Sequence, residues 1–135
     1  MAETFELEIA TPNQLLVREQ VSEAQIPAAN GYLGILPQHS PLLSLMGTGE
    51  LTYMVNGRNH ALSVSGGFVE VLPDRVRVLT DSAERAEDID VERAKEALHR
   101  AEDRVKDPRE QNVDMARALN AMQKAQSRLK AAKDK

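Results

Sequence analysis

The side chains best suited to chemistry are sparse in this chain. Histidine occurs three times, at His39, His60 and His99, and cysteine is absent from all 135 residues. No two histidines stand at a metal-ligand spacing, and there is no H-E-x-x-H pair. The lack of cysteine removes thiol nucleophiles, thiolate metal sites and disulfides together. A G-x-S-x-G elbow, a Walker A run and a G-x-G-x-x-G loop are also missing, and Gly31-Tyr32-Leu33-Gly34 and Gly47-Thr48-Gly49 read more simply as turns. These patterns disfavour intrinsic catalysis and indicate no metal. They favour a binding or coupling role.

Charge is what remains, and it is unevenly placed. Asp, Glu, Lys and Arg number 12 in residues 1–80 and 26 in residues 81–135, while all seven glycines and five of the six prolines precede residue 74. The chain therefore reads as two unlike objects in series, a strand-and-turn domain over residues 1–84 and a charged, alanine-rich helical domain over residues 85–135. The net charge of −4, with no basic patch carrying interleaved aromatics, argues against nucleic-acid binding, which phosphate neutralisation drives. No window approaches the roughly 18 consecutive apolar residues of a membrane span, and residues 1–10 lack a basic region followed by an apolar core. The expectation is a chain neither exported by that route nor integral to a membrane.

In the first object, Phe5, Leu7 and Ile9 alternate with Glu6, Glu8 and Ala10, the period of a strand with one buried face. Leu51, Tyr53 and Val55 alternate again and run into Asn56-Gly57, the dipeptide that best accepts a type I′ turn, before residues 58–65 resume a strand. Gly66-Gly67 precedes a strand over residues 68–72, and Pro73-Asp74 turns the chain into residues 75–79, with Val76 and Val78 on one face. Short strands are also expected at residues 15–18, 21–26 and 33–36. Many short strands with no helix between them predict an antiparallel sandwich or barrel.

In the second object, Asp88-Ile89-Asp90 supplies acceptors for a helix start. Val91, Ala94, Leu98, Ala101 and Val105 then form one helical stripe; Pro108 breaks it, and Met115, Ala118, Leu119, Met122, Ala125, Leu129 and Ala132 form a second. Two helices joined by a short loop should fold back antiparallel. Alanine on both seams buries little area, so the hairpin should be weakly held and able to move as a unit. Residues 87–107 hold eight acids and five bases whereas 109–135 hold three acids and seven bases, so the helices carry opposite charge. A larger acidic partner could compete for the second helix.

Three segments in order carry a resemblance: Gly34-Ile35-Leu36-Pro37-Gln38-His39-Ser40-Pro41-Leu42-Leu43, then Ser65-Gly66-Gly67-Phe68-Val69-Glu70-Val71, then Ala83-Glu84-Arg85-Ala86-Glu87-Asp88-Ile89-Asp90-Val91-Glu92-Arg93-Ala94. Together they resemble the epsilon subunit of bacterial-type F-type ATP synthases over essentially the whole chain. The resemblance implies a β-sandwich of about ten strands followed by a two-helix hairpin. It also implies a non-catalytic rotor subunit of the central stalk, peripheral to the membrane on the cytoplasmic face of the bacterial cell. The sandwich would bind the gamma subunit and the ring of c subunits, coupling proton-driven rotation to ATP synthesis. The hairpin would lie folded beside the sandwich or extend towards the alpha and beta subunits and inhibit ATP hydrolysis.

The resemblance also assigns residues. His39 lies in the loop used near gamma, as a contact or as a loop hydrogen bond. Tyr32 falls where the sandwich edge meets the c ring, although members often carry an acid there. Gly66 and Gly67 are expected to serve backbone geometry at a strand start. Ile89-Asp90-Val91-Glu92-Arg93-Ala94 matches the I-D-x-x-R-A motif by which some members bind ATP in the folded hairpin, which implies a nucleotide site of Asp90, Arg93 and Arg100 with Glu84, Lys124 and Arg128. Arg93 and Arg100, seven apart, share a helical face about 10 Å apart along the axis. Lys124 stands where ATP-binding members tend to have arginine, keeping the charge but not the planar fork. A second reading of the same residues has Asp90 as a helix cap and Arg93 and Arg100 in ion pairs within the hairpin. An unrelated β-sandwich adaptor that docks another protein through its hairpin is the alternative for the chain as a whole.

Overall fold

A computed structural model describes residues 3–107 and 112–133. Ten strands precede the helices: β1 (Phe5–Thr11), β2 (Gln14–Val21), β3 (Glu23–Ala28), β4 (Gly31–Ile35), β5 (Leu42–Leu45), β6 (Thr48–Val55), β7 (Arg58–Ser65), β8 (Phe68–Val71), β9 (Arg75–Leu79) and β10 (Ser82–Arg85). They form two five-stranded sheets, ordered β2-β1-β9-β8-β5 and β10-β7-β6-β3-β4. All pairings are antiparallel except β1 with β9, which run parallel. That pair joins segments too far apart for hairpin rules to register. The turn expected at Asn56-Gly57 forms with positive φ at both residues, 50° and 79°. Two glycine segments expected as turns instead belong to strands: Gly31-Tyr32-Leu33-Gly34 forms most of β4, and Gly47-Thr48-Gly49 leads into β6.

The alternation in sequence becomes the core. Phe5, Leu7 and Ile9 of β1, Val69 and Val71 of β8, and Val76 and Val78 of β9 point inward from one sheet, against Ala24, Ile26, Ile35, Leu51, Tyr53, Leu62 and Val64 from the other. Aliphatic side chains therefore fill the gap between the sheets with little aromatic help. On β7 the alternation fails, because Ala61, Leu62, Ser63 and Val64 are all buried. The outer residues Ala61 and Ser63 are covered by the helical part.

After a single turn of 3₁₀ helix (Ala86–Asp88) come α1 (Val91–Lys106) and α2 (Asn112–Lys133). The loop expected around Pro108 lies outside the described residues. The start of α1 sits beside the end of α2, since Ala94 packs with Ala131 in one buried cluster that also holds Ala61, Ala86 and Ile89. The two helices are therefore antiparallel, and α2 is the one that lies on β6 and β7. Ala94 and Ala101 are buried on α1, and Ala118 and Ala125 on α2, so the expected alanine seam exists. Leu119 of the expected stripe is 42% exposed, while Ser127 and Ala131, outside that stripe, are buried against the sandwich.

Gly67 sits at φ +92°, and a Cβ there would fall on the backbone carbonyl oxygen of Leu79. Its role is thus backbone geometry where β8 begins. Gly67→Ala is expected to cost about 3 kcal/mol or more through left-handed strain plus displacement of β9, read from denaturant unfolding.

Candidate functional site

Four elements meet at one end of the hairpin. The edge strand β10 brings Ser82 opposite Ser65 and Glu84 opposite Ser63 on β7. The first turn of α1 brings Arg93, and one face of α2 brings Lys124 and Arg128. Together these line a cleft of about 370 Å³ in which the sheet supplies serine hydroxyls and one carboxylate and the helices supply three cations.

Arg128 grips Glu84 with two contacts, Nε to Oε1 at 2.7 Å and a terminal nitrogen to Oε2 at 3.4 Å, with both side chains partly buried. This fork ties α2 to β10 and cancels one of the three positive charges. Arg93 and Lys124 face the cleft with no ion-pair partner among the described residues. Two residual positive charges among hydroxyls suit an anion rich in acceptor oxygens, such as a phosphate chain. The residue just before Arg128, Ser127, hydrogen-bonds Ser63 at 2.8 Å in a buried contact.

The structure thus brings Glu84, Arg93, Lys124 and Arg128 together but leaves Asp90 and Arg100 outside the lining. Asp90 is the N-cap of α1, its carboxylate accepting from the Arg93 backbone N–H at 3.1 Å. Its capping role is therefore formed, as the second reading of these residues expected. The intrahairpin ion pairs of that reading are not: Arg100 is exposed about two turns further along α1 and, like Arg93, has none among the described residues. Ser63, Ser65 and Ser82 were not singled out in sequence. Their only signal is the spacing of Ser63 and Ser65 at alternate, outward positions of β7, with Ser82 on β10 paired opposite Ser65.

Tyr32 and His39 lie elsewhere. His39, in the loop after β4, is half-buried, and its Nδ1 lies 2.7 Å from the Ser40 carbonyl oxygen, so it donates there when Nδ1 carries the proton. Tyr32 faces the hairpin: its hydroxyl accepts the Glu50 backbone N–H at 3.1 Å, and the Lys130 ammonium of α2 stands over its ring at 5.8 Å. Among the described residues no three His, Asp or Glu side chains are grouped to hold a metal ion, and no helix is long and apolar enough to cross a membrane.

Comparison with known proteins decides the family. Residues 4–86 match the family model of the ATP synthase delta/epsilon chain β-sandwich domain, and residues 87–133 match that of its long α-helix domain. The chain belongs to the ATP synthase delta/epsilon family. It is 61% identical over 108 residues to the ATP synthase epsilon chain of Solibacter usitatus, covering 80% of this chain and 81% of that one. It is 51% identical over 106 residues to that of Koribacter versatilis, covering 78% and 75%. Its fold matches a chain in the cryo-EM structure of the Euglena gracilis mitochondrial ATP synthase, OSCP/F1/c-ring in rotational state 1, with a TM-score of 0.83 and 24% identity over 96% of this chain and 81% of that one. As an epsilon chain it is a non-catalytic subunit.

The cap gives a direct test of the Asp90 assignment. Asp90→Ala is expected to destabilise α1 by about 1 kcal/mol, and Asp90→Asn, which keeps an accepting oxygen, by only a few tenths. Amide exchange in the first turn of α1 reads the difference.

Proposed function

We propose that this epsilon chain is a rotor subunit of the central stalk whose two outer sheet faces do different work. One face docks the sandwich on the gamma subunit and the c ring, coupling proton-driven rotation to ATP synthesis. The other carries the hairpin, which inhibits ATP hydrolysis when it extends towards the alpha and beta subunits. ATP is its regulatory ligand, held in the cleft of the folded state. Attachment through this complex puts the chain at the cytoplasmic face of the bacterial membrane.

The observation that carries the reading is the contrast between the two faces. On the free face, cross-strand partners Leu45, Phe68, Leu79, Ala10 and Leu15 form one row across all five strands. The four large side chains in it are 44% to 67% exposed. A continuous apolar row of that kind marks a protein interface. The hairpin face is fastened by polar ties and holds the cationic cleft, whose walls come from β7, β10, α1 and α2 together. Such a site exists only while the hairpin is docked. A ligand bound there favours the folded state by its differential affinity for it.

Two measurements test these roles. Phe68→Glu is expected to abolish co-purification with gamma while leaving the melting temperature of the isolated chain nearly unchanged; retained binding would remove the row from the interface. ATP at saturating concentration is expected to raise the melting temperature, with stabilisation of about 2.7 kcal/mol at one hundred times Kd. Arg93→Ala or Lys124→Ala should remove most of that shift and Lys124→Arg should enlarge it, while Arg100→Ala should remove a smaller part. No shift at millimolar ATP would leave the cleft without this ligand.

A further inference from the structure

Under the last turns of α2, the sheet and the helix match each other residue for residue. Glu50 of β6 and Ser63 of β7 are cross-strand partners on the outer face. Above them, Ser127 bonds Ser63 at 2.8 Å, and Lys130, three residues on, places its Nζ 4.0 Å from Glu50 Oε1. Glu50 is only 6% exposed, so the docked helix covers this carboxylate.

The floor of this contact is built by Tyr32 from a strand two places away. The β3–β6 ladder stops at Gln25 opposite Thr52, and beyond it the Tyr32 hydroxyl takes the Glu50 backbone N–H. The side chain reaches there by lying over Gly49, where a Cβ would stand 2.8 Å from the hydroxyl oxygen and 2.9 Å from the Pro27 side chain. Any side chain at position 49 would push the ring off. Lys130 therefore meets a carboxylate and an aromatic face held together in one place.

We propose that Lys130, Glu50 and Tyr32 form a releasable latch that sets the register of α2 on the sandwich and the fraction of molecules with the hairpin docked. The inference rests on the reading that the hairpin leaves the sandwich. Only the carboxylate is covered here, since the Lys130 side chain stays 66% exposed; the lysine's attraction offsets part of the desolvation of Glu50 and yields little net stability, whereas removing the lysine takes that offset away. A latch of this kind fixes where the helix sits without locking it there. When the helix lifts, the Glu50 carboxylate returns to water, where the Lys130 ammonium already largely lies.

This asymmetry gives a test in the full-length chain, by amide exchange along α2 compared with β1 and β9 of the sandwich core. Lys130→Gln, which leaves Glu50 covered without the lysine charge, is expected to speed α2 exchange about three- to tenfold with β1 and β9 unchanged. Tyr32→Phe, which removes the acceptor that seats the ring, should speed it about two- to threefold. The double variant Glu50→Gln with Lys130→Gln should return α2 to within about twofold of the parent, because the covered carboxylate is gone. An unchanged rate in Lys130→Gln, or a double variant as fast as the single, would overturn the latch. If α2 of the parent exchanges ahead of the sandwich in those cases, only the latch fails. If α2 and the sandwich exchange at one common rate in the parent and in every variant, the movable hairpin and the latch fail together.

Discussion

The arrangement depends on how a helix rich in alanine and serine is held on the outer face of a β-sheet. Ala131 and Ser127 are buried on the underside of α2, and their small size lets the helix approach the β6–β7 surface closely. Alanine buries little apolar area per residue, so beside the small apolar cluster around Ala61 and Ala131 the position is set by directional ties: Ser127 to Ser63, Arg128 to Glu84, and Lys130 to Glu50. Each is worth of order 1 kcal/mol at this degree of exposure, and salt screens the two ionic ones. The helix is well located but separable. The sandwich beneath it, with its interdigitated aliphatic core, is not.

From that fastening follows the logic of the cleft. Its serines and Glu84 belong to the sandwich, Arg93 belongs to α1, and Lys124 and Arg128 belong to α2. Undocking the hairpin takes the walls apart. On the proposed function, ligand binding and docking are two descriptions of one equilibrium, and a site of modest affinity is enough to move it when the docked and undocked states differ by only a few kcal/mol. The opposite face needs no such reversibility. Its row of leucines and phenylalanine is fixed by cross-strand register within a rigid sheet, which suits a permanent contact.

Much of the fold was legible because its signals were periodic. The alternation of Phe5, Leu7 and Ile9 and the Val91-to-Val105 stripe reflect an apolar face that must be buried, the Asn56-Gly57 turn reflects residues that tolerate positive φ, and each holds in three dimensions. Strands β5 and β10 gave no such signal, the first because Leu42, Leu43 and Leu45 do not alternate with polar residues, the second because Ser82–Arg85 is short and polar. The underside of α2 was invisible for a related reason: serine and alanine carry almost no hydrophobic contrast, so the stripe read in sequence pointed to Leu119, which is exposed, rather than to Ser127. A glutamate on a strand reads as solvent-facing, and only the helix above it shows that Glu50 is covered. At the cleft, the resemblance pointed to Glu84, Asp90, Arg93, Arg100, Lys124 and Arg128 as one set, and four of the six line it; Asp90 is taken up by the helix cap and Arg100 lies beyond the lining.

The central claim is that the hairpin is a separable body docked by polar ties. Because the chain has no cysteine, one spin-label pair can be introduced cleanly, at Asn13 in the β1–β2 turn and at Ala121 on the exposed side of α2. The distance distribution between them, measured in the full-length chain at low salt, at about 1 M salt where the Debye length falls to about 3 Å, and at low salt with ATP, reads docking directly. The account predicts a second, longer distance that grows with salt and shrinks with ATP while the sandwich stays folded. A single distance, unchanged by salt or ATP until the whole chain unfolds, would contradict it.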